Sequence, residues 1–369
     1  MSSSDTRSRR SLRITLFSFI CWCGCLGALL AGVLGLSAFV APDFWFADNM
    51  SFFLRQFLAG GLAGCIAGAS GLWIRHRLPL FYKATFGLAV ISLLALAGLT
   101  GARTLANTVP VVVSPDGARP IKIVSINIEH LFLGDKVLQK FLLREKPDIV
   151  VVQEVLWWLQ ERRWNRLEKD EDSLIQNGFP EHRIVGKLGG LVVFSRFPVL
   201  EDTSITISGE FPDGAHVYYD PDRELLSLTL DTGKKPLRLL SIHPDSPRSK
   251  ARWLNKRRYM EEVDSALQDL RNENPGQILV IGDWNSAPWS WRFQQTLSEN
   301  NLKTAYPGGW PQTTRFFFDY RLHWILGAPV DQFAVSDDVQ VTSVSLGPDF
   351  GSDHLPLIVE INLPETPNN

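Results

Sequence analysis

The chain has 369 residues, with 37 Lys+Arg against 39 Asp+Glu, 45% hydrophobic and 21% charged residues, a balance that excludes a disordered, collagenous or coiled-coil chain. The near-neutral total conceals two unlike parts: residues 1–118 carry a net +5 and residues 119–369 a net −7. All four cysteines, Cys21, Cys23, Cys25 and Cys65, fall in the first part, which excludes a disulfide framework or a cysteine metal site in the second.

Residues 1–13 form a basic tail with Arg7, Arg9, Arg10 and Arg13. From Ile14 to Pro42 there is no charged residue, a run longer than the ~20 residues needed to cross a bilayer. Two further uncharged runs, Gln56 to Ile74 and Ala84 to Ala102, are each near the lower edge of spanning length. The pattern predicts an all-α membrane anchor over 14–103 with spans at about 14–41, 56–74 and 84–102. A cleaved leader is disfavoured, because the first run exceeds a signal core and two more follow it. Gly60, Gly64 and Gly68 recur every four residues and predict a smooth stripe for close packing with a neighbouring helix, of this chain or another. Lys and Arg stay on the cytoplasmic side. The arginine-rich tail and the segment with Arg75, Arg77 and Lys83 contrast with Asp43, Asp48 and the single Arg55 between the first two spans. Three crossings then place everything beyond about Arg103 on the periplasmic or extracellular side.

Residues 104–118 read as a linker rich in turn formers, residues 119–364 as one large α/β domain, and 365–369 as a tail. Short apolar or alternating runs predict strands at Ile121–Ile128, Ile149–Val152, Leu191–Phe194, Leu225–Leu230, Leu237–Ile242, Ile278–Ile281, Leu322–Leu326, Val341–Val344 and Leu357–Ile361. Helical periodicity appears at Lys136–Glu145 and from about Ser249 to Arg271, the latter stopped by Asn274-Pro275-Gly276. Many strands with few helices favour mixed or mostly antiparallel sheets, and two such sheets stacked with helices outside account for the counts.

Polar residues suited to metal or phosphate chemistry repeatedly terminate the apolar strands. Asn127 ends the first, Glu154 follows Ile149–Gln153, and His243 follows Leu239–Ile242. Asp283 and Asn285 follow Ile278–Gly282, and Ser352-Asp353-His354 precede the last strand. Any one alone is more often a turn or capping residue; strand ends that point the same way would gather all of them on one rim.

In these motifs, Ser125-Ile126-Asn127, Val152-Gln153-Glu154, Ile242-His243-Pro244, Gly282-Asp283-Trp284-Asn285 and Gly351-Ser352-Asp353-His354, the chain resembles the endonuclease/exonuclease/phosphatase superfamily of metal-dependent phosphoesterases, over roughly residues 119–364. Within it the chain looks most like the bacterial membrane-anchored branch, with N-terminal hydrophobic spans and a Trp between the Asp and the Asn. The resemblance implies a four-layer α/β/β/α sandwich (DNase I-like).

The chemistry of these residue types agrees. Hydrolysis of a phosphate ester needs charge neutralisation and a positioned, activated water. Glu154 is the best candidate ligand for Mg²⁺, a hard ion that takes one or two carboxylates, with Mn²⁺ able to substitute. Asp283 would orient and deprotonate the water, and Asn285 and Asn127 would donate to phosphate oxygens or hold neighbouring carboxylates. His243 and His354 would contact the phosphoryl group. Asp353 is a further metal contact or an orienter of a histidine, and Glu129, two residues past Asn127, is a weaker metal candidate if the strand continues.

One departure stands out. The family resemblance implies an Asp on a late strand that orients the catalytic histidine, and in Arg321-Leu322-His323-Trp324-Ile325-Leu326 the residue at that place is His323. A neutral imidazole cannot stabilise an imidazolium as a carboxylate does, so a weakened or inactive phosphoryl-ligand binding module on the same scaffold is the rival to the membrane-anchored phosphoesterase.

Arg248, Lys250, Arg252, Lys256, Arg257 and Arg258 are clustered; at helical spacing Arg248, Arg252 and Lys256 share a face, suited equally to polyanions or lipid headgroups and to a plain solvated helix face with Glu261 and Glu262 as acidic partners. The net −7 of the soluble part counts against avid nucleic-acid binding, so an endonuclease is the less favoured substrate class. Aromatics at Trp289, Trp291, Phe293, Trp310, Phe316, Phe317 and Phe318 fall in segments expected to border the rim, where exposed rings would touch the bilayer interface, although core packing is the commoner role of Trp and Phe. The expected partners are a phosphate ester and, through the N-terminal helices, the lipid bilayer; the sequence gives no oligomeric state.

Overall fold

The computed structural model describes residues 3–74, 79–114, 119–169, 178–211, 220–273, 277–323 and 325–363. Arg75, Arg77, the Asn274-Pro275-Gly276 stop, Trp324 and the 365–369 tail lie outside the described residues. The chain divides into two compact units, one of Met1–Arg103 with Trp289–Trp291 and one of Thr104–Pro288 with Arg292–Asn369.

The first unit holds helices Ser3–Val40, Trp45–Met50, Leu54–Ile74 and Leu80–Ala106. Among the described residues, three stretches are long and apolar enough to cross a membrane, Thr15–Val40, Trp45–Trp73 and Leu80–Ala106. The second and third outrun the expected spans, since the helices continue through their polar flanks. The glycine stripe finds its partner within the chain: a Cβ on Gly64 would lie 2.5 Å from the Gly24 carbonyl oxygen, and one on Gly68 2.5 Å from Cys25 Sγ. The first and third helices therefore meet backbone to backbone there, as small residues allow. Gly60 faces open space instead.

The second unit contains two six-stranded sheets. The first runs Gln340–Leu346, Leu357–Asn362, Ile121–Asn127, Ile149–Gln153, Val192–Ser195, His182–Val185; the second runs Val199–Ile207, Arg223–Leu230, Leu237–Ile242, Gln277–Asp283, Asp331–Ser336, Leu302–Lys303. Each sheet has one parallel pair near its centre, Ile121–Asn127 with Ile149–Gln153 and Leu237–Ile242 with Gln277–Asp283, and antiparallel neighbours elsewhere.

The period-2 pattern dictates the stacking. Ile123, Ile149 and Val151 of one sheet meet Leu228, Leu239, Leu279, Ile281 and Phe333 of the other in the central core. The alternate residues Val124, Ile126, Val150 and Val152 pack outward on Leu138, Phe141 and Trp164 from helices Lys136–Glu145 and Trp157–Leu167. On the far side Leu240, Ile242, Ile278 and Val280 pack on Tyr259, Met260, Val263 and Phe293 from helices Lys250–Glu273 and Trp291–Glu299. This is the expected α/β/β/α sandwich. Each buried aliphatic side chain contributes roughly 1.5–3 kcal/mol, so Leu279→Ala in the central layer would cost about 2–5 kcal/mol.

Local signals set the helix ends. Asp135 Oδ1 accepts from Val137 N at 2.8 Å and Leu138 N at 3.4 Å, and Lys146 closes the Lys136–Glu145 helix in the left-handed region at φ 49°. Ser249 Oγ accepts from Arg252 N at 3.3 Å at the start of Lys250–Glu273. The strand expected at Leu322–Leu326 does not form: Asp319 Oδ1 accepts from Arg321 N and caps a 3-10 turn over Tyr320–Leu322. A two-residue strand, Gly327–Ala328, follows and pairs with Arg315–Phe316, and the long strand comes after Pro329, at Asp331–Ser336.

Candidate active site

The alternation that builds the core also builds the site. Asn127 continues the inward face of Ile123 and Ser125, His243 that of Leu239 and Ser241, and Asp283 that of Leu279 and Ile281. Asp331 opens the inward face of Phe333 and Val335. At the C-terminal ends of the parallel pairs the apolar contacts stop, and these polar side chains face one another across the gap between the sheets. Asp331 arrives because its strand runs antiparallel to Gln277–Asp283 in a register that pairs it with Asp283.

Asp283 is the hub and is buried. Its Oδ1 accepts from Asn285 N at 2.8 Å; its Oδ2 accepts from Asn127 Nδ2 and Asn285 Nδ2, each at 3.2 Å. His243 Nε2 and His354 Nε2 both lie 3.7 Å from the same Oδ2. Burial raises the Asp283 pKa above the usual carboxylate value against the opposing pull of His354, with Asp331 adding to the rise.

Glu154 follows its strand in the left-handed region at φ 56°, which turns its carboxylate toward the second sheet. Its Oε1 accepts from Asn127 Nδ2 at 3.1 Å and lies 3.3 Å from His243 Nε2. Burial opposes its ionisation, yet the His243 imidazole and the Asn127 amide hold it well below the usual carboxylate range. His130 also touches it, with Nε2 3.6 Å from Oε2.

Both carboxamides spend their two amide hydrogens inside the site. Asn127 gives to Glu154 and Asp283, and Asn285 gives to Asp283 and, at 2.9 Å, to the Pro244 carbonyl. In this arrangement they hold carboxylates, one of the two roles expected from the sequence. Lys256, expected on an exposed basic stripe, is buried with Nζ 2.7 Å from the Asn285 carbonyl oxygen. Arg248 precedes the helix that begins at Lys250, so the stripe with Arg252 does not form.

His354 is positioned by Asp331, whose Oδ2 lies 2.8 Å and Oδ1 3.1 Å from Nδ1. Burial disfavours its charged form, but Asp331 and then Asp283 prevail and push its pKa up to about 9. This corrects the reading of His323: that residue closes the Tyr320–Leu322 turn and stacks on Tyr320 at 4.8 Å. The orienting carboxylate is present, one strand later than expected. The available signal was Val330-Asp331-Gln332, an acid at the start of an apolar run just after Pro329.

Asp353 and Glu129 lie at the lip. Arg315 Nε and Nη2 donate to Asp353 Oδ2 at 3.0 and 2.9 Å, while Asp353 N donates to Glu129 Oε2 at 3.1 Å. Glu129 does not extend the strand alternation, because the strand ends at Asn127 and Glu129 adopts φ 47°. Arg315 was not foreseen, and nothing in its local sequence marks it.

Two groups of potential metal donors occur among the described residues, Glu154 with His243 and Asp283, and Asp283 with Asp331 and His354. Asp353 and Glu129 belong to neither. Oxygen donors around an ionised, half-open Glu154 suit a hard divalent ion, and a cation there would offset the crowded carboxylates of Glu154, Asp283 and Asp331.

Of the aromatics expected at the rim, Phe293 is core, and Trp289 is buried in the helical unit, where its indole donates to the Ser51 carbonyl. Trp310 is half-exposed and Phe318 is 97% exposed.

Two stacked mixed sheets flanked by helices, with carboxylates, imidazoles and carboxamides at one end of the sheet gap, define a DNase I-like sandwich. The model of the Endonuclease/Exonuclease/phosphatase family matches residues 124–354, more than half of the chain, and the chain belongs to that family. The family includes phosphatases and nucleases, hydrolases of phosphate esters that typically use divalent metals. No curated protein matches. Among solved structures, an endonuclease/exonuclease/phosphatase from Beutenbergia cavernae is 18% identical with TM-score 0.50, covering 67% of this chain and 72% of that one. The 3′ phosphatase NExo from Neisseria, bound to a product DNA hairpin, is 19% identical with TM-score 0.50, covering 66% of this chain and 99% of its own. At these identities the likeness concerns the fold.

Proposed function

We propose that the chain is a membrane-anchored, divalent-metal-dependent phosphoesterase that hydrolyses a phosphate mono- or diester with an activated water. Residues 14–103 serve as the anchor and 119–364 as the catalytic domain, on the periplasmic or extracellular side. The observation that carries this reading is the convergence of Glu154, Asp283, His243 and His354 through contacts of 3.3–3.7 Å.

A Mg²⁺ ion held by Glu154 would neutralise charge on the phosphoryl oxygens, a task Mn²⁺ could also perform. Asp283 accepts the proton of the attacking water; its burial raises its basicity, and Asn127 and Asn285 fix its orientation. His354, held protonated by Asp331, stabilises the charge that grows on the phosphoryl oxygens, and His243 contacts them beside Glu154. The rival reading, a weakened binding module, was drawn from His323, and the Asp331 carboxylate 2.8 Å from His354 Nδ1 favours the hydrolase over it. The net charge of −7 beyond residue 118 keeps nucleic acid the less favoured substrate.

The test is release of p-nitrophenol from p-nitrophenyl phosphate and bis-(p-nitrophenyl) phosphate by the full chain with Mg²⁺ or Mn²⁺. The reading expects metal-dependent release that disappears in Glu154→Ala and Asp283→Ala. Equal release by both variants, or none by the wild type across lipid, nucleotide and sugar phosphates, contradicts it.

A further inference from the structure

Beside the buried residues lies an open groove of about 940 Å³, a volume in the range of sites that hold whole small molecules. Glu129, Ser352 and Asp353 of the site's lip form part of its lining, so the groove opens onto the candidate chemistry. Of the three guanidinium groups along it, two are in ion pairs, while the carboxylates of Glu129 and Asp349 accept from backbone amides. Arg315 is taken up by Asp353, and Arg321 by Asp319 at 2.7 Å. Glu129 accepts from Asp353 N, and Asp349 from Gly351 N at 2.9 Å. Arg248 also lines the groove, and among the described residues no carboxylate lies within ion-pair distance of its guanidinium.

Its surroundings make that arrangement costly. Loss of solvent, and then the like charges of Arg315 and Arg252, disfavour the cationic form of Arg248, with Asp353 and Glu154 opposing from the site. Arg248 is an exposed side chain, and a guanidinium that lines a groove with no carboxylate in ion-pair distance can receive an anion through its fork of donors. Phe317 and Phe318 add apolar surface along the same groove, enough to accept carbon atoms between two charged ends.

We propose that Arg248 is a specificity-determining residue that binds a second anionic group of the substrate, so that the preferred ester carries two anionic groups joined by a short carbon skeleton. This rests on the phosphoesterase reading, which places the first, scissile phosphoryl group at Glu154, Asp283 and His354.

The experiment compares alkanediol bisphosphates, from ethane to hexane, with the matching alkyl monophosphates at fixed free Mg²⁺, using the full chain in detergent. Each is measured as a competitor of p-nitrophenyl phosphate hydrolysis and, separately, by calorimetric binding to the Mg²⁺-loaded protein. At one spacing the bisphosphate should bind at least about tenfold more tightly than its monophosphate, equivalent to ~1.4 kcal/mol. Arg248→Ala should remove that advantage and Arg248→Lys retain part of it, while Arg258→Ala, a cation outside the groove paired with Glu210, should keep it in full. No advantage at any spacing, or one that survives Arg248→Ala, overturns the proposal. If the wild type hydrolyses nothing, the phosphoesterase reading fails by itself, and the calorimetric comparison still decides whether Arg248 receives a second anion.

Discussion

The floor of the candidate site and the groove beside it are built on opposite principles. On the floor, Asp283, Asp331, His354, Asn127 and Asn285 are all buried, and their polar atoms are tied to one another at 2.8–3.2 Å. The groove is open, lined by side chains such as Arg248 and the 97% exposed Phe318, and packs little. Fixed geometry suits groups that must hold charge and move a proton, whereas loose walls suit recognition of the variable part of a substrate. Floor substitutions should therefore act on turnover and leave the fold standing; groove substitutions should act on selectivity.

The largest effect is expected at the hub. Asp283→Asn removes the proposed general base and should lower kcat by about 10³-fold. Burial raises the Asp283 pKa and so opposes its ionised form, but the amide turns one of the two oxygens that accept from Asn285 N, Asn127 Nδ2 and Asn285 Nδ2 into a donor, so the variant should melt somewhat lower than the wild type. Phosphate-release kinetics paired with a thermal melt check both halves; a large fall in Tm would mean that the floor is structural.

Asp331→Asn should follow, lowering kcat on the order of 10²-fold by loosening the histidine. His354 has its pKa raised from 6.5 to about 9, so the activity and stability that depend on its proton are fully present below pH 6.5 and disappear as pH rises through about 9. Without the Asp331 charge, Asp283 and Asp353 are left to oppose burial, and the alkaline limb of the pH–rate profile should move down from about 9. A limb that stays near pH 9 in this variant would detach His354 from it.

Glu154→Gln is expected to weaken the apparent Mg²⁺ affinity at least about tenfold, read as the metal concentration for half-maximal rate. The smallest effect lies in the groove: Phe318 sits at φ 69° with its ring in solvent. Phe318→Gly should therefore stabilise the domain by about 1 kcal/mol in denaturant unfolding. A loss of stability would show that the groove wall is part of the fold.

Much of the floor was legible because it obeys strand parity. Asn127, His243 and Asp283 each extend an alternation whose inward positions are apolar, and a polar side chain at the end of such a run has to emerge where the sheets part. The Lys136–Glu145 helix was equally legible from its apolar periodicity, and its ends are fixed by the Asp135 cap and the left-handed Lys146. Asp331 was not, because it opens an antiparallel strand where the others close parallel ones, and the apolar residues of Leu322–Leu326 imitate a strand while Asp319 winds their start into a turn. Arg315 owes its role to an ion pair across 38 residues, which no local pattern announces. The groove is made of loops, and loops carry no periodicity from which their walls could be read.

The most direct test of the central claim is anomalous scattering from crystals of the full chain soaked in Mn²⁺. The account predicts a single strong peak within roughly 2.2 Å of a Glu154 oxygen, with Asp353 still clamped by Arg315. A peak bound by Asp353 and Glu129 with Glu154 uncoordinated, or no peak on the site, would contradict it.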